Sequence, residues 1–170
     1  MAAERRRMRI RQAREADYGH IIGVLDAWWA ERKMTDMLPR LFFKHFTDTS
    51  FVIDEDGLAV AFLIGFVSPS DPGQAYVHFM GVDPRRRRQG LASRLYAHFF
   101  ETVRARGCAV VRCLTSPVNT GSIAFHTRLG FAVEPGDQVV DGLAVHSDYD
   151  GPGEDRVLFV KRLSDAPAKA

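Results

Sequence analysis

Cysteine is nearly missing from this chain: Cys108 and Cys113 are the only two in 170 residues. Two thiols cannot build the disulfide framework of a small secreted domain, and their surroundings lack the ligand spacing of a metal site. They read as reduced thiols beside a core strand, and no metal is expected. Long apolar runs are missing too. No stretch reaches the roughly 20 residues needed to span a bilayer. The opening Met1-Ala2-Ala3-Glu4-Arg5-Arg6-Arg7 leads into no apolar signal segment, so a cytoplasmic location and no membrane partner are expected. Net charge is scarce as well. A balance of +2 is too small to mark a nucleic-acid surface. The arginines do cluster, at Arg5–Arg14 and Arg85–Arg88, but no interleaved aromatics or recognition motif accompany them, and no nucleic-acid partner is expected. Finally, no Ser-His-Asp or Cys-His pattern suggests a covalent nucleophile.

What is present suffices for a core. Hydrophobic residues make up 46% and charged residues 26%, the balance of an ordinary globular protein. The length predicts a single domain over 1–170, with a core at about 8–163 between flexible tails. Periodicity and turn chemistry predict a mixed order of elements. Arg9–Gln12 reads as a strand, Glu15–Trp29 and Leu38–Phe46 as helices, and Phe51–Ile53 and Leu58–Val67 as a hairpin joined by Asp54-Glu55-Asp56-Gly57. Ala75–Val82 is the next strand. Arg88–Arg106 is a long helix with Leu91, Leu95, Phe99 and Val103 on one face and Gly107 at its end. Ala109–Thr115 is a strand and Thr120–Leu129 a helix. Phe131–Glu134, Leu143–His146 and Arg156–Leu163 close the fold.

The most informative segment is Val82-Asp83-Pro84-Arg85-Arg86-Arg87-Arg88-Gln89-Gly90-Leu91-Ala92. A strand ends, a basic turn follows, and a helix begins on small residues. The first N–H groups of a helix have no intrahelical partner, and its dipole makes that end positive. With Gly90 and Ala92 keeping the backbone open, the turn suits a phosphate.

Arg87-Arg88-Gln89-Gly90-Leu91-Ala92 fits Arg/Gln-x-x-Gly-x-Gly/Ala and resembles the pyrophosphate loop of the GNAT N-acetyltransferases. A second segment resembles that family's other signature: Asn119-Thr120-Gly121-Ser122-Ile123-Ala124-Phe125-His126-Thr127-Arg128-Leu129-Gly130-Phe131. The resemblance spans roughly residues 8–163. It implies an α/β (α+β) fold, with a mixed, mostly antiparallel sheet splayed at its centre and helices on both faces. It also implies an enzyme that uses acetyl-CoA as acetyl donor and passes the acetyl group directly to a primary amine in a ternary complex. The acceptor would be a small amine or amino-acid-like molecule, and a homodimer is compatible with the family. The alternative is a non-catalytic acyl-CoA-binding sensor or interaction module.

The resemblance also assigns roles. The cofactor would be held by Gly81, Val82, Arg87, Arg88, Gln89, Gly90, Leu91, Ala92, Asn119 and Ser122. Gly81 would let the thioester approach the backbone closely, or would mark a bulge. Backbone N–H groups near Gly81 and Val82 would face the oxyanion. On Ala75–Val82, alternation puts Tyr76, His78 and Met80 on one face and core residues on the other. His78 is the candidate proton acceptor, with Tyr76 shaping the same face; the alternative for His78 is a satisfied core histidine. His126 stands where many relatives have a tyrosine assigned as donor to the leaving thiolate, and it takes that role or merely fills the slot. Trp29, Asp36 and Phe43 are candidate acceptor contacts, an aromatic wall with a carboxylate, against the alternative that the aromatics pack a helix pair.

Overall fold

The structure, a computed structural model, describes residues 8–163. The expected tails lie outside the described residues. In chain order the elements are β1 (Arg9–Gln12), α1 (Asp17–Trp28), α2 (Phe42–His45), β2 (Phe51–Glu55), β3 (Leu58–Val67), β4 (Gln74–Val82), α3 (Leu91–Ala105), β5 (Val110–Thr115), α4 (Thr120–Arg128), β6 (Ala132–Val133), β7 (Gln138–Val140), β8 (Leu143–Val145) and β9 (Val157–Arg162). One sheet has the order β1-β2-β3-β4-β5-β9-β6, and β7 and β8 form a separate pair. The β1–β2, β2–β3, β5–β9 and β6–β9 pairings are antiparallel, while β4–β5 is parallel. This is the mixed, mostly antiparallel sheet that the resemblance implied. The parallel register joins Gln74, Ala75 and Tyr76 to Val110, Val111 and Arg112, three pairs in strands of nine and six residues.

Contacts group the described residues into two compact units. One runs to Phe66 and includes Val77–Val103; the other comprises Val67–Tyr76 and the chain from Arg104 onward.

In the first unit, α1 buries Ile21, Leu25 and Trp28, a helical spacing. They pack with Leu38, Phe43, Val52, Phe62, Ile64 and Phe79 in one apolar cluster. Arg11 ties three elements at the cluster's edge, donating to both Asp17 oxygens at 2.8 Å and to Asp54 at 3.0 Å. The predicted stripe of α3 is buried, and Tyr96 joins it.

Two helix boundaries differ from expectation for local reasons. The long helix begins at Leu91 and not at Arg88, because Arg88 (φ +61°) and Gly90 (φ +73°) are left-handed and cannot continue a right-handed helix. The expected Leu38–Phe46 helix shrinks to Phe42–His45, after a short 3₁₀ turn at Thr35–Met37. Leu38 precedes Pro39, which disfavours the helical region for it, and it sits at φ −127°, ψ 71°.

In the second unit, β5 pairs with β9 along its whole length, and β6 lies against β9. Arg112 donates to Gln74 at 2.6 Å and also to Glu134. The unexpected hairpin β7–β8 turns at Asp141-Gly142, both at positive φ. Among the described residues no helix is long and apolar enough to cross a membrane.

Candidate active site

The basic turn lies wholly in the first unit. β4 ends at Val82, and the Asp83 N–H donates to the Val60 carbonyl at 2.9 Å, fixing the turn's start. The Asp83 carboxylate accepts from the Arg85 N–H at 2.9 Å and from the Arg85 guanidinium at 2.8 Å. That arginine holds the Asp83 carboxyl below its ordinary range. Arg86 pairs with Glu55, a buried carboxylate on β2. Arg87 Nη2 donates to the carbonyl of Trp28, the last residue of α1, at 2.7 Å. Each of these three arginines thus has a partner inside its own unit. Arg88 is exposed and has no protein partner among the described residues.

The run therefore divides its labour. Arg87 was expected at the cofactor phosphates together with Arg88, but one of its five N–H donors is spent on the Trp28 carbonyl. Gly90 and the helix start keep the predicted openness. A Cβ at Gly90 would meet nothing within 4 Å, so it is the left-handed φ, and not crowding, that calls for glycine. The first α3 amide to bond back is that of Arg94, to the Gly90 carbonyl at 3.0 Å. The N–H groups of Leu91, Ala92 and Ser93 have no backbone acceptor among the described residues.

Gly81 has a use the sequence did not reveal. A Cβ there would lie 2.6 Å from Trp29 Cη2 and 2.7 Å from Phe62 Cε1. Glycine is required by two rings packed over the strand. Gly81→Ala should destabilise the protein by about 1–3 kcal/mol through overpacking, read as a lower denaturation midpoint. An unchanged midpoint would mean the rings have room to move.

The burial of β4 alternates as predicted, with Tyr76, His78 and Met80 partly exposed and Ala75, Val77 and Phe79 buried. His78 Nε2 lies 2.7 Å from the Met37 carbonyl. A carbonyl only accepts, so Nε2 carries the proton and Nδ1 is the lone-pair nitrogen of the neutral ring. Nδ1 has no hydrogen-bond partner among the described residues. Phe42 stacks on the imidazole, with centroids 4.3 Å apart and planes at 15°. Burial lowers the imidazole pKa, and the Met37 bond opposes this in part. Burial thus favours the neutral ring.

The three acceptor candidates separate. Trp29 is partly exposed, with its ring 5.2 Å from that of Phe79. Asp36 is exposed and paired with Lys33 at 2.7 Å. Phe43 has no exposed surface and meets Tyr18 edge-on, so it backs the core and cannot touch an acceptor. For Phe43 the packing alternative holds.

The other predicted residues belong to the second unit. Asn119 Oδ1 accepts from the Ser122 N–H at 3.1 Å and caps α4. His126 is 6% exposed, stacked on Phe159 and edge-on to Phe125 and Phe131. Its Nδ1–H donates to the Ser122 carbonyl at 2.8 Å. Burial pushes its pKa down, so the imidazolium that would donate to a thiolate is disfavoured. Tyr76 is the reverse case. Burial first, then Cys113, Tyr149 and Asp150, raise its pKa far above the ordinary phenol, so it keeps its proton.

Sequence reasoning did not single out the Met37 carbonyl, the Trp28 carbonyl or Glu55. A main-chain acceptor has no residue signature, and Glu55 read as part of a hairpin turn.

Comparison with known proteins adds context to this geometry. The model of the acetyltransferase (GNAT) family matches residues 9–131. Over 84 residues the chain is 32% identical to the L-2,4-diaminobutyric acid acetyltransferase of Nocardia farcinica, covering 49% of this chain and 44% of that protein. The corresponding enzyme of Virgibacillus pantothenticus is 26% identical over 77 residues, covering 45% and 48%. The chain thus spans about half the length of the curated relatives it matches. Among solved structures, Ard1 from Thermoplasma volcanium superimposes with a TM-score of 0.74 at 18% identity, covering 93% of this chain and 99% of that one.

Proposed function

Because the chain belongs to the acetyltransferase (GNAT) family, we propose that it moves an acetyl group from acetyl-CoA directly to a primary amine. The observation that carries this reading is the turn itself: N–H groups at Leu91, Ala92 and Ser93 with no backbone acceptor among the described residues, open space beside Gly90, and an exposed Arg88. That donor set fits a pyrophosphate. Bound there, acetyl-CoA supplies an activated acyl carbon. Gln89 and Gly90 complete the turn, Val82 leads into it, and Arg87 keeps guanidinium N–H groups beyond the one on Trp28. In the second unit, the Asn119 amide nitrogen and the Ser122 hydroxyl are the groups assigned to the cofactor.

His78 Nδ1 is the proton acceptor in this reading. It would take a proton from the acceptor nitrogen, whose lone pair would form the N–C bond as the C–S bond breaks, the electron pair leaving on the coenzyme A thiolate, which takes its proton from solvent. No side chain forms an acyl bond. His126 packs among aromatic rings in place of the family's usual tyrosine, since a neutral ring with its proton on Nδ1 has no proton to give from Nε2. Tyr76 holds its proton, so its hydroxyl can take part in hydrogen bonds but does not act as a base.

The division within the arginine run gives a test. Arg88→Ala should weaken coenzyme A binding about 10-fold, the loss of one charge-assisted contact. Arg85→Ala should leave binding unchanged, because that guanidinium serves Asp83. Calorimetric titration of both variants with coenzyme A decides it. Equal effects would mean that the run acts as a diffuse charge.

A non-catalytic acyl-CoA-binding module would bind coenzyme A in the same way and release no free thiol with any amine. A thiol-release assay over a panel of amines separates the two.

A further inference from the structure

We propose that Glu55 is a positioning residue for the turn assigned to the pyrophosphate. It does not touch the ligand. It acts through Arg86, whose guanidinium it ties to the end of β2. The inference rests on the proposed transferase reading and adds a positioning residue to that same site.

The first observation is where Glu55 lies. It is 8% exposed, at the end of a strand whose five residues are all buried. Burying a carboxylate is costly unless it is paired, and a buried ion pair adds little net stability beside apolar side chains of similar size. What the Glu55–Arg86 pair supplies in this proposal is a fixed geometry.

Second, the end of β2 is a firm base. The β2–β3 register shifts between Ile53 and Asp54, and bulges of this kind re-aim side chains. Asp54 accepts from Arg11 at 3.0 Å and from the Gly57 N–H at 2.9 Å. Asp56 and Gly57, both at positive φ, close the hairpin directly after Glu55, which pairs with Leu58.

Third, the turn is held from outside. Pro84–Arg86 is a single 3₁₀ turn, Arg87 is extended (φ −63°, ψ 160°), and Arg88 and Gly90 are left-handed. The N–H groups of Arg88, Gln89 and Gly90 have no backbone acceptor among the described residues. Regular structure thus stops at Arg86 and resumes at Leu91. The Asp83–Arg85 pair spans two positions and is internal to the turn. The Arg86–Glu55 pair spans 31 positions and joins the turn to the sheet. The Val60 carbonyl on β3 holds the start of the turn through the Asp83 N–H, and Glu55 on the neighbouring strand holds its end. Arg87 on the Trp28 carbonyl is the next tie along the chain. The path into residues 88–90, and so the placing of the α3 amides, follows from these fixed points.

Calorimetric titration with coenzyme A tests this. Glu55→Met replaces the carboxylate by an apolar side chain of similar length, suited to a buried position. It should weaken coenzyme A binding about 10-fold. Charge alone predicts the opposite, because removing a carboxylate favours an anionic ligand. Glu55→Gln keeps an acceptor for the guanidinium and should stay within about threefold of the parent. Arg86→Gln, made on the Glu55→Met background so that no buried carboxylate is stranded, should cost no further affinity. Misfolding would lower the binding stoichiometry and leave the dissociation constant of the folded fraction alone, so the two effects separate. Unchanged or raised affinity in Glu55→Met overturns the inference, as does Glu55→Gln binding as weakly as Glu55→Met. A further loss in the double variant also overturns it, by making Arg86 a ligand contact. A parent protein that binds no coenzyme A removes the transferase reading itself, and the inference falls with it.

Discussion

Gly90→Glu should lower coenzyme A affinity by roughly 100-fold or more and leave the fold standing. The new side chain enters open space, since nothing lies within 4 Å of a Cβ at this position. Its carboxylate would stand before the N–H groups that the pyrophosphate is proposed to use. Like-charge juxtaposition costs several kcal/mol, which lowers affinity by roughly 100-fold or more. Backbone strain is the competing effect, because residue 90 sits at φ +73°. A non-glycine residue there costs about 1–2 kcal/mol of stability. Gly90→Ala separates the two, because it carries the strain without the charge. It should lower the denaturation midpoint as Gly90→Glu does, yet keep most of the affinity. Calorimetry on both variants, with circular dichroism to confirm folding, is the measurement. A folded glutamate variant with unaltered affinity would place the phosphates elsewhere.

His78→Ala should lower turnover by roughly 10²–10⁴-fold, the usual worth of a positioned base, with coenzyme A affinity nearly unchanged. Burial depresses the imidazole pKa, which favours the neutral, proton-accepting form. In the parent protein the limb of the pH–rate profile that belongs to this base should therefore lie at lower pH than that of an ordinary imidazole. In the alanine variant that limb should vanish. The variant also loses the ring that stacks on Phe42, and stability must be measured beside the rate. His78→Gln is the companion variant, with an amide N–H long enough to stand in for Nε2 on the Met37 carbonyl but no group that accepts a proton at neutral pH. Normal turnover in either variant at all pH values would make His78 a packing residue.

How much of this was legible before the structure follows from the range of each interaction. The α3 stripe of Leu91, Leu95, Phe99 and Val103 repeats at helical spacing, and the burial of β4 alternates as the residue types do. Both are local patterns, and both are found as read. The turn proposed for the pyrophosphate stands out for the same reason, since glycine and arginine crowd into a few consecutive residues. Where the reading failed locally, the cause was backbone detail. Left-handed Arg88 delays the helix, and the Asp141-Gly142 turn between two short apolar runs signalled a hairpin that was passed over. The partners of the arginines were not legible at all. Arg87 meets a carbonyl 59 positions away and Arg86 a carboxylate 31 positions away. The rings that oblige residue 81 to be glycine come from two distant elements.

The pairing of the arginine run also sets how far its charge is felt. Two of its four cations face carboxylates, Asp83 and Glu55. Seen from a few Debye lengths the turn is only weakly positive, so it offers little long-range attraction to polyanions in general. In the proposed reading its selectivity would be exerted at contact, where a ligand must present oxygen atoms to the amides of Leu91, Ala92 and Ser93. A long flexible polyanion gains little from such a row, while a compact diphosphate can satisfy it in one placement.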